Sequence, residues 1–228
     1  MVITTTDTGL IRLLQLSSVS LPVGGYSFSQ GLEYAIDAGW LRNSEQVHSW
    51  LELQLLHSVA QLDLPLLRLQ MCACRQQDWS ELRRLNDLSL ACRETKELRL
   101  TDTAMGEAML RLLNSLEVKH PFDLRPGAED ISFVTMFSAA ASFWQIDKAA
   151  ALTGYCWAWL ENQIAAATKL VPLGQTQAQI LLGELQPVLI ESIALAESIK
   201  EQQIGSGLPG VAIASALHEQ QYSRLFRS

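Results

Sequence analysis

Apolar residues recur three and four positions apart along almost the whole chain, as at Leu10, Leu13 and Leu14, or at Val47, Trp50, Leu51, Leu55 and Val59. That period lines one face of an α-helix, and no segment keeps the two-residue alternation of a half-buried strand. The spacing predicts an all-α fold with ten helices, over 8–19, 28–38, 44–61, 64–76, 79–94, 96–116, 131–145, 148–169, 175–184 and 187–202. Punctuation agrees: Asp78 with Glu81 fits a capping pattern, Asp63 precedes Pro65 in a first turn, Pro187 opens a helix and Gly39 closes one. Between Val118 and Glu129 the period fails around His120-Pro121 and Arg125-Pro126-Gly127, which reads as a loop between two helical halves.

Two segments are apolar or small on nearly every face, 131–145 and 148–169, the second carrying Trp157, Trp159 and Ala165-Ala166-Ala167. Helices of this kind are buried all round, either at the centre of a bundle or against a second copy of the chain, and the general rule favours the centre.

The C-terminus breaks with the pattern. Gly205-Ser206-Gly207-Leu208-Pro209-Gly210 is a flexible composition, and the chain then ends in Ala216-Leu217-His218-Glu219-Gln220-Gln221-Tyr222-Ser223-Arg224-Leu225-Phe226-Arg227-Ser228. Large apolar and cationic side chains at a terminus need a surface to dock on. The division expected is one all-α domain over 1–204 and a flexible partner-binding tail over 205–228. The other occupant for Tyr222, Leu225 and Phe226 is the chain's own body.

Composition narrows the partners. A length of 228 residues at 48% hydrophobic suffices for one full core. With 24 acidic against 17 basic residues, a net charge of −7, clustered phosphate contacts are not expected, so nucleic acid is set aside. The apolar charge-free run Ile131 to Ile146 is short for a membrane span. Four cysteines, with Cys72 and Cys74 too close to pair easily, and no signal peptide at the start point to a reducing, cytoplasmic setting.

Candidate chemistry is sparse. Leu21-Pro22-Val23-Gly24-Gly25-Tyr26-Ser27 has glycines before a helix but no phosphate-loop pattern, so a tight turn is the expectation. Arg93-Glu94-Thr95-Lys96-Glu97-Leu98-Arg99 sets Arg93 and Glu97, and Thr95 and Arg99, one helical turn apart, as on a solvated salt-bridged face. Lys169 ends a buried helix, where it complements the dipole, and Pro172 and Gly174 make a corner. His48, His57, His120, His218, Cys72 and Cys74 lack the spacing of a structural zinc site, and no nucleophile-elbow pattern appears. No catalytic residue, metal ligand or cofactor is assigned.

Four blocks carry a resemblance: Ser20-Leu21-Pro22-Val23-Gly24-Gly25-Tyr26-Ser27-Phe28-Ser29-Gln30-Gly31-Leu32-Glu33, Cys92 to Arg99, Lys169 to Gln175, and His218 to Ser228. In these the chain resembles the urease accessory protein UreF family, nearly end to end. The resemblance implies a homodimeric, non-enzymatic scaffold or chaperone of nickel insertion in urease maturation. It implies binding to UreD (also called UreH), recruitment of the GTPase UreG, and action on apo-urease. By the same resemblance the tail residues His218, Glu219, Tyr222, Arg224, Leu225, Phe226 and Arg227 face the UreD-type partner, and Gln30, Glu33, Lys169 and Gln175 face the GTPase. Leu217 departs from the family pattern, which has Arg before the His-Glu pair. The alternatives are a regulator of the GTPase activity and a nickel-binding metallochaperone.

Overall fold

The computed structural model describes residues 7–125, 127–171, 173–205 and 207–227; Pro126, Pro172, Ser206 and Ser228, named above, lie outside them. Eleven α-helices and no strand occur among these residues. They are α1 (Asp7–Leu16), α2 (Leu32–Asp37), α3 (Ser44–Gln54), α4 (Leu64–Gln76), α5 (Trp79–Ala91), α6 (Lys96–Ser115), α7 (Phe133–Phe143), α8 (Lys148–Leu170), α9 (Gln175–Glu184), α10 (Gln186–Ser198) and α11 (Pro209–His218). Asp78 caps α5 through the Glu81 N–H at 3.0 Å, Gly39 turns the chain after α2 at φ 73°, and Pro187 lies in the first turn of α10.

The centre is α7. Its residues Val134 to Ala141 are all buried between α4, α6 and α8. Phe137 meets Tyr155 of α8 edge-on at 5.3 Å between ring centres. The few polar groups here close on one another: the Gln70 amide donates to Thr135 at 2.8 Å, and Ser138 donates to Gln70 at 3.2 Å. Gly106 is where α6 approaches the strand of chain entering α7, because a Cβ there would stand 2.0 Å from the Ile131 carbonyl oxygen. The helices predicted to be buried all round thus occupy the middle of the bundle.

Two expectations need correction. The helix break placed before Asp63 is absent: α3 continues through a π-helical stretch, Leu55–Asp63, into α4. Leu64 donates to Val59, five residues back, so the wider turn absorbs Pro65. The carbonyl of Gln61, four residues before that proline, accepts instead from the Gly205 N–H at 3.3 Å. Second, Arg93 to Arg99 is not one solvated face, because α5 stops at Ala91 and α6 starts at Lys96 under a Thr95 cap. Helical spacing does not apply across that gap, and Arg93 and Glu97 turn inward. Among the described helices, the run with the length and hydropathy of a membrane span is Gln175–Ser198; one third of it is buried, and it turns at Leu185 from α9 into α10.

The largest difference lies at the C-terminus. Residues 209–218, expected as part of a free tail, form α11, which packs on α2 and α6. Its inner face is Val211, Ala214, Ser215 and His218. Gly31 makes this approach feasible: its φ of +84° disfavours side chains, and a Cβ would lie 3.1 to 3.2 Å from Ser215 N, Ala214 Cβ and Val211 O.

Candidate functional site

The junction of α2, α6 and α11 gathers most of the residues singled out from the sequence. Glu33 enters from the first turn of α2 and Glu97 from the first turn of α6; both are buried. Carboxylates there gain from the exposed N–H groups and positive ends of the helices. His218, in the last turn of α11, inserts between them with no exposed surface. Its Nδ1 lies 2.7 Å from Glu97 Oε1 and its Nε2 lies 2.9 Å from Glu33 Oε2. Burial by itself lowers the imidazole pKa, but the hydrogen bonds and charges of Glu97 and Glu33 outweigh it and hold it above the ordinary value.

Glu33 also holds the last residues of the chain. Its Oε1 accepts from the Leu225 N–H at 2.6 Å and its Oε2 from the Phe226 N–H at 2.9 Å. The Arg227 N–H donates to Ser27 O at 2.9 Å, and the Lys169 ammonium stands 5.4 Å from the centre of the Phe226 ring. Thr95 and Ser215 share a hydrogen bond of 2.7 Å beside His218. Arg224 sits 3.7 Å from Glu97 and the Glu219 carboxylate accepts from the Glu97 N–H at 3.3 Å.

The tail residues therefore divide. His218 and Phe226 are buried in the chain's own body, while Tyr222 is fully exposed and Leu225 is 64% exposed. Ile213 and Leu217 of α11 are also exposed, at 52% and 38%. Arg224 and Arg227 of the same segment are exposed as well. Of the four residues expected on the GTPase side, Glu33 is engaged as described, and Lys169 contacts Phe226. Gln30 accepts from the Trp159 indole at 3.0 Å. Gln175, exposed at the start of α9, shares no hydrogen bond with the other three among the described residues. The tight turn expected at Leu21 to Ser27 is present as a short 3₁₀ turn, Gly25–Ser27.

Behind this junction lies an ionic cluster. Arg93 binds Asp63 at 2.6 Å and Asp102 at 2.9 Å. Burial opposes its charge, but the two carboxylates keep it protonated far above any working pH. Asp102 also accepts from the Phe133 N–H and the Ser132 hydroxyl, both at 2.8 Å, and so starts α7 from a neighbouring helix. A cavity of about 100 Å³ adjoins the cluster, lined by Gln54, Asp63, Arg93, Gln163 and, from the C-terminal segment, Leu208 and Val211. Sequence reasoning missed Asp63, Arg93 and Asp102 as a unit, since they are 30 and 9 residues apart and meet only in the fold.

Other chemistry is quiet. Burial raises the thiols of Cys74 and Cys156 to about 12, which keeps them protonated and unreactive. Among the described residues no three His, Cys, Asp or Glu side chains are grouped as metal ligands.

The buried ionisable groups of the helical body thus bind one another, and exposed apolar side chains lie along the pinned C-terminal segment. The UreF family profile matches residues 41–186. The chain is 61% identical over 226 residues to the urease accessory protein UreF of Marinomonas sp. (strain MWYL1), covering 99% of this chain and 97% of that one. It is 45% identical over 229 residues to the UreF of Alkalilimnicola ehrlichii, covering 99% of each, and 42% identical over 222 residues to that of Pseudomonas putida (strain W619), covering 97% and 99%. The chain belongs to the UreF family of urease accessory proteins. Membership makes it a non-catalytic participant in urease maturation.

Proposed function

We propose that the chain is a cytoplasmic scaffold that joins a UreD (UreH)-type partner and the GTPase UreG for nickel insertion into apo-urease, acting as a homodimer. The observation that carries the reading is the split of the C-terminus. His218 and Phe226 are buried and fix the segment, while Tyr222, Leu225, Ile213 and Leu217 are exposed. Exposed apolar residues accompanied in the same segment by Arg224 and Arg227 suit a partner that offers apolar surface with carboxylates beside it. Because α11 and the residues after it are already placed on the body, little of the contact energy is spent in ordering them. The four cysteines are free, in keeping with a reducing compartment.

The test is capture of a purified UreD-type protein by the full chain and by Tyr222→Ser with Leu225→Ser. Two anchors removed from the middle of an interface raise Kd at least about tenfold, with the isolated chain still folded. An unchanged Kd overturns the placement of the partner on these side chains. The GTPase side, Gln30, Glu33, Lys169 and Gln175, is read separately: Gln175→Ala, which touches none of the tail contacts, weakens UreG recruitment while leaving the UreD-type partner bound.

A further inference from the structure

Neutral imidazole has one N–H, so it can donate to one carboxylate only. At the α2–α6–α11 junction both ring nitrogens of His218 face carboxylate oxygens, at 2.7 and 2.9 Å, and neither nitrogen is exposed. With the proton absent, one nitrogen presents a lone pair to an anion inside the protein. Two buried carboxylates then face each other across a neutral ring, with Arg224 standing 3.7 Å from Glu97. Whichever of the three groups holds it, the closed geometry needs one proton more than a neutral histidine and two carboxylates carry.

We propose that His218, Glu33 and Glu97 form a proton-operated latch that holds the segment from Pro209 to Arg227 on the body when the site is protonated and releases it when the proton leaves. The groups facing the ring come from every element packed there. Glu33 comes from α2, Glu97 from α6, Arg224 and Glu219 from the tail, and Lys169 of α8 covers Phe226 beyond them. Glu33 links the ring to the rest of the segment, because the same carboxylate that binds His218 accepts the Leu225 and Phe226 N–H groups. Losing the proton therefore weakens both ends of the segment together. The sign follows from the raised histidine pKa. The closed site binds its proton more tightly than a free imidazole does, so latch strength is full below the ordinary value and falls as pH rises through the raised one.

The latch belongs to the isolated chain and is tested without any partner, so its failure and the failure of the scaffold reading are separate events. The measurement is amide hydrogen exchange on the full chain from pH 6 to 9.5, expressed as protection relative to an unstructured peptide at each pH. Protection at Leu225 and Phe226 should hold at low pH and then fall about tenfold per pH unit above the midpoint, while Leu160 in α8 stays constant. The ring resonances of His218 should titrate above the ordinary imidazole value of about 6.5. In His218→Gln, protection at Leu225 and Phe226 should be low and independent of pH. If that variant does not fold, Glu33→Gln decides the matter, since a single remaining carboxylate moves the ring midpoint down. Flat protection in the natural chain, an unchanged slope in folded His218→Gln, or an unmoved ring midpoint in Glu33→Gln overturns the latch.

Discussion

The α7–α8 centre and the α2–α6–α11 junction are both buried, and they are held in different ways. At the centre Phe137, Val134, Leu152 and Leu160 have no exposed surface, and their contacts are apolar. Such packing has no dependence on pH and no element that can leave without opening the whole bundle. At the junction the buried groups are His218, Glu33 and Glu97, and they hold the segment from Pro209 to Arg227. The difference teaches where permanence and release are encoded: dry packing where helices must stay, ionisable contacts where a segment can come away.

Phe137→Ala should have the largest effect. It removes a ring packed between Phe133 and Tyr155, and the centre has no way to collapse into the space, so a loss of about 3–5 kcal/mol is expected. The loss is read as a fall in the melting temperature of the whole chain, with every probe moving together. A small, local change would break the comparison at its rigid end.

His218→Ala removes more charge balance but should cost the body less. Glu33 and Glu97 are left unpaired, yet they have an escape that Phe137's neighbours lack: α11 can lift and let water in. The global cost is thereby limited to about 1–3 kcal/mol, while exchange protection at Leu225 and Phe226 is lost. The same reasoning applies to deleting the chain from residue 209 onward, which leaves the two carboxylates facing water rather than each other's histidine. A global loss equal to that of Phe137→Ala would show that the junction is as permanent as the centre.

How much of this was visible in the sequence follows the same line. Ten helices were legible because each carries a repeating apolar stripe, and α7 and α8 were legible as central because they carry no polar face. α11 was not, because Pro209 and Gly210 imitate a linker and its inner face is made of Val211, Ala214, Ser215 and His218. The signal was present in those four, at the i, i+3, i+4 and i+7 positions of a helix whose proline suits its first turn. Glu33, Lys169 and the tail were named from the sequence by resemblance, but that Glu33 and His218 meet depends on a fold joining residues 185 apart. The π-helical stretch was illegible for a different reason, since proline announces a helix start and only the wide turn before it reveals continuity.

Gly31→Ala sharpens the comparison more finely. The backbone at φ +84° resists any side chain by about 1–2 kcal/mol, and the added methyl stands against α11 rather than against the centre. Exchange at Ser215 and Phe226 should rise while that at Leu160 does not change. Equal loosening of both regions would mean that the close approach at Gly31 supports the bundle as a whole.

The smallest effect on folding is expected at Tyr222 and Leu225. Tyr222 is fully exposed and Leu225 is 64% exposed, so Tyr222→Ser and Leu225→Ser remove little that the folded chain buries, and stability should stay within about 0.5 kcal/mol. Leu225 is informative because its two halves belong to different regions: its N–H is held by Glu33, and its side chain faces outward. Serine keeps the N–H and discards only the side chain, so the latch contacts persist. Unfolding by urea measures this, with the midpoint and slope both unchanged from the natural chain. A shifted midpoint would place the Leu225 side chain in the body's own packing and remove it from the surface offered to a partner.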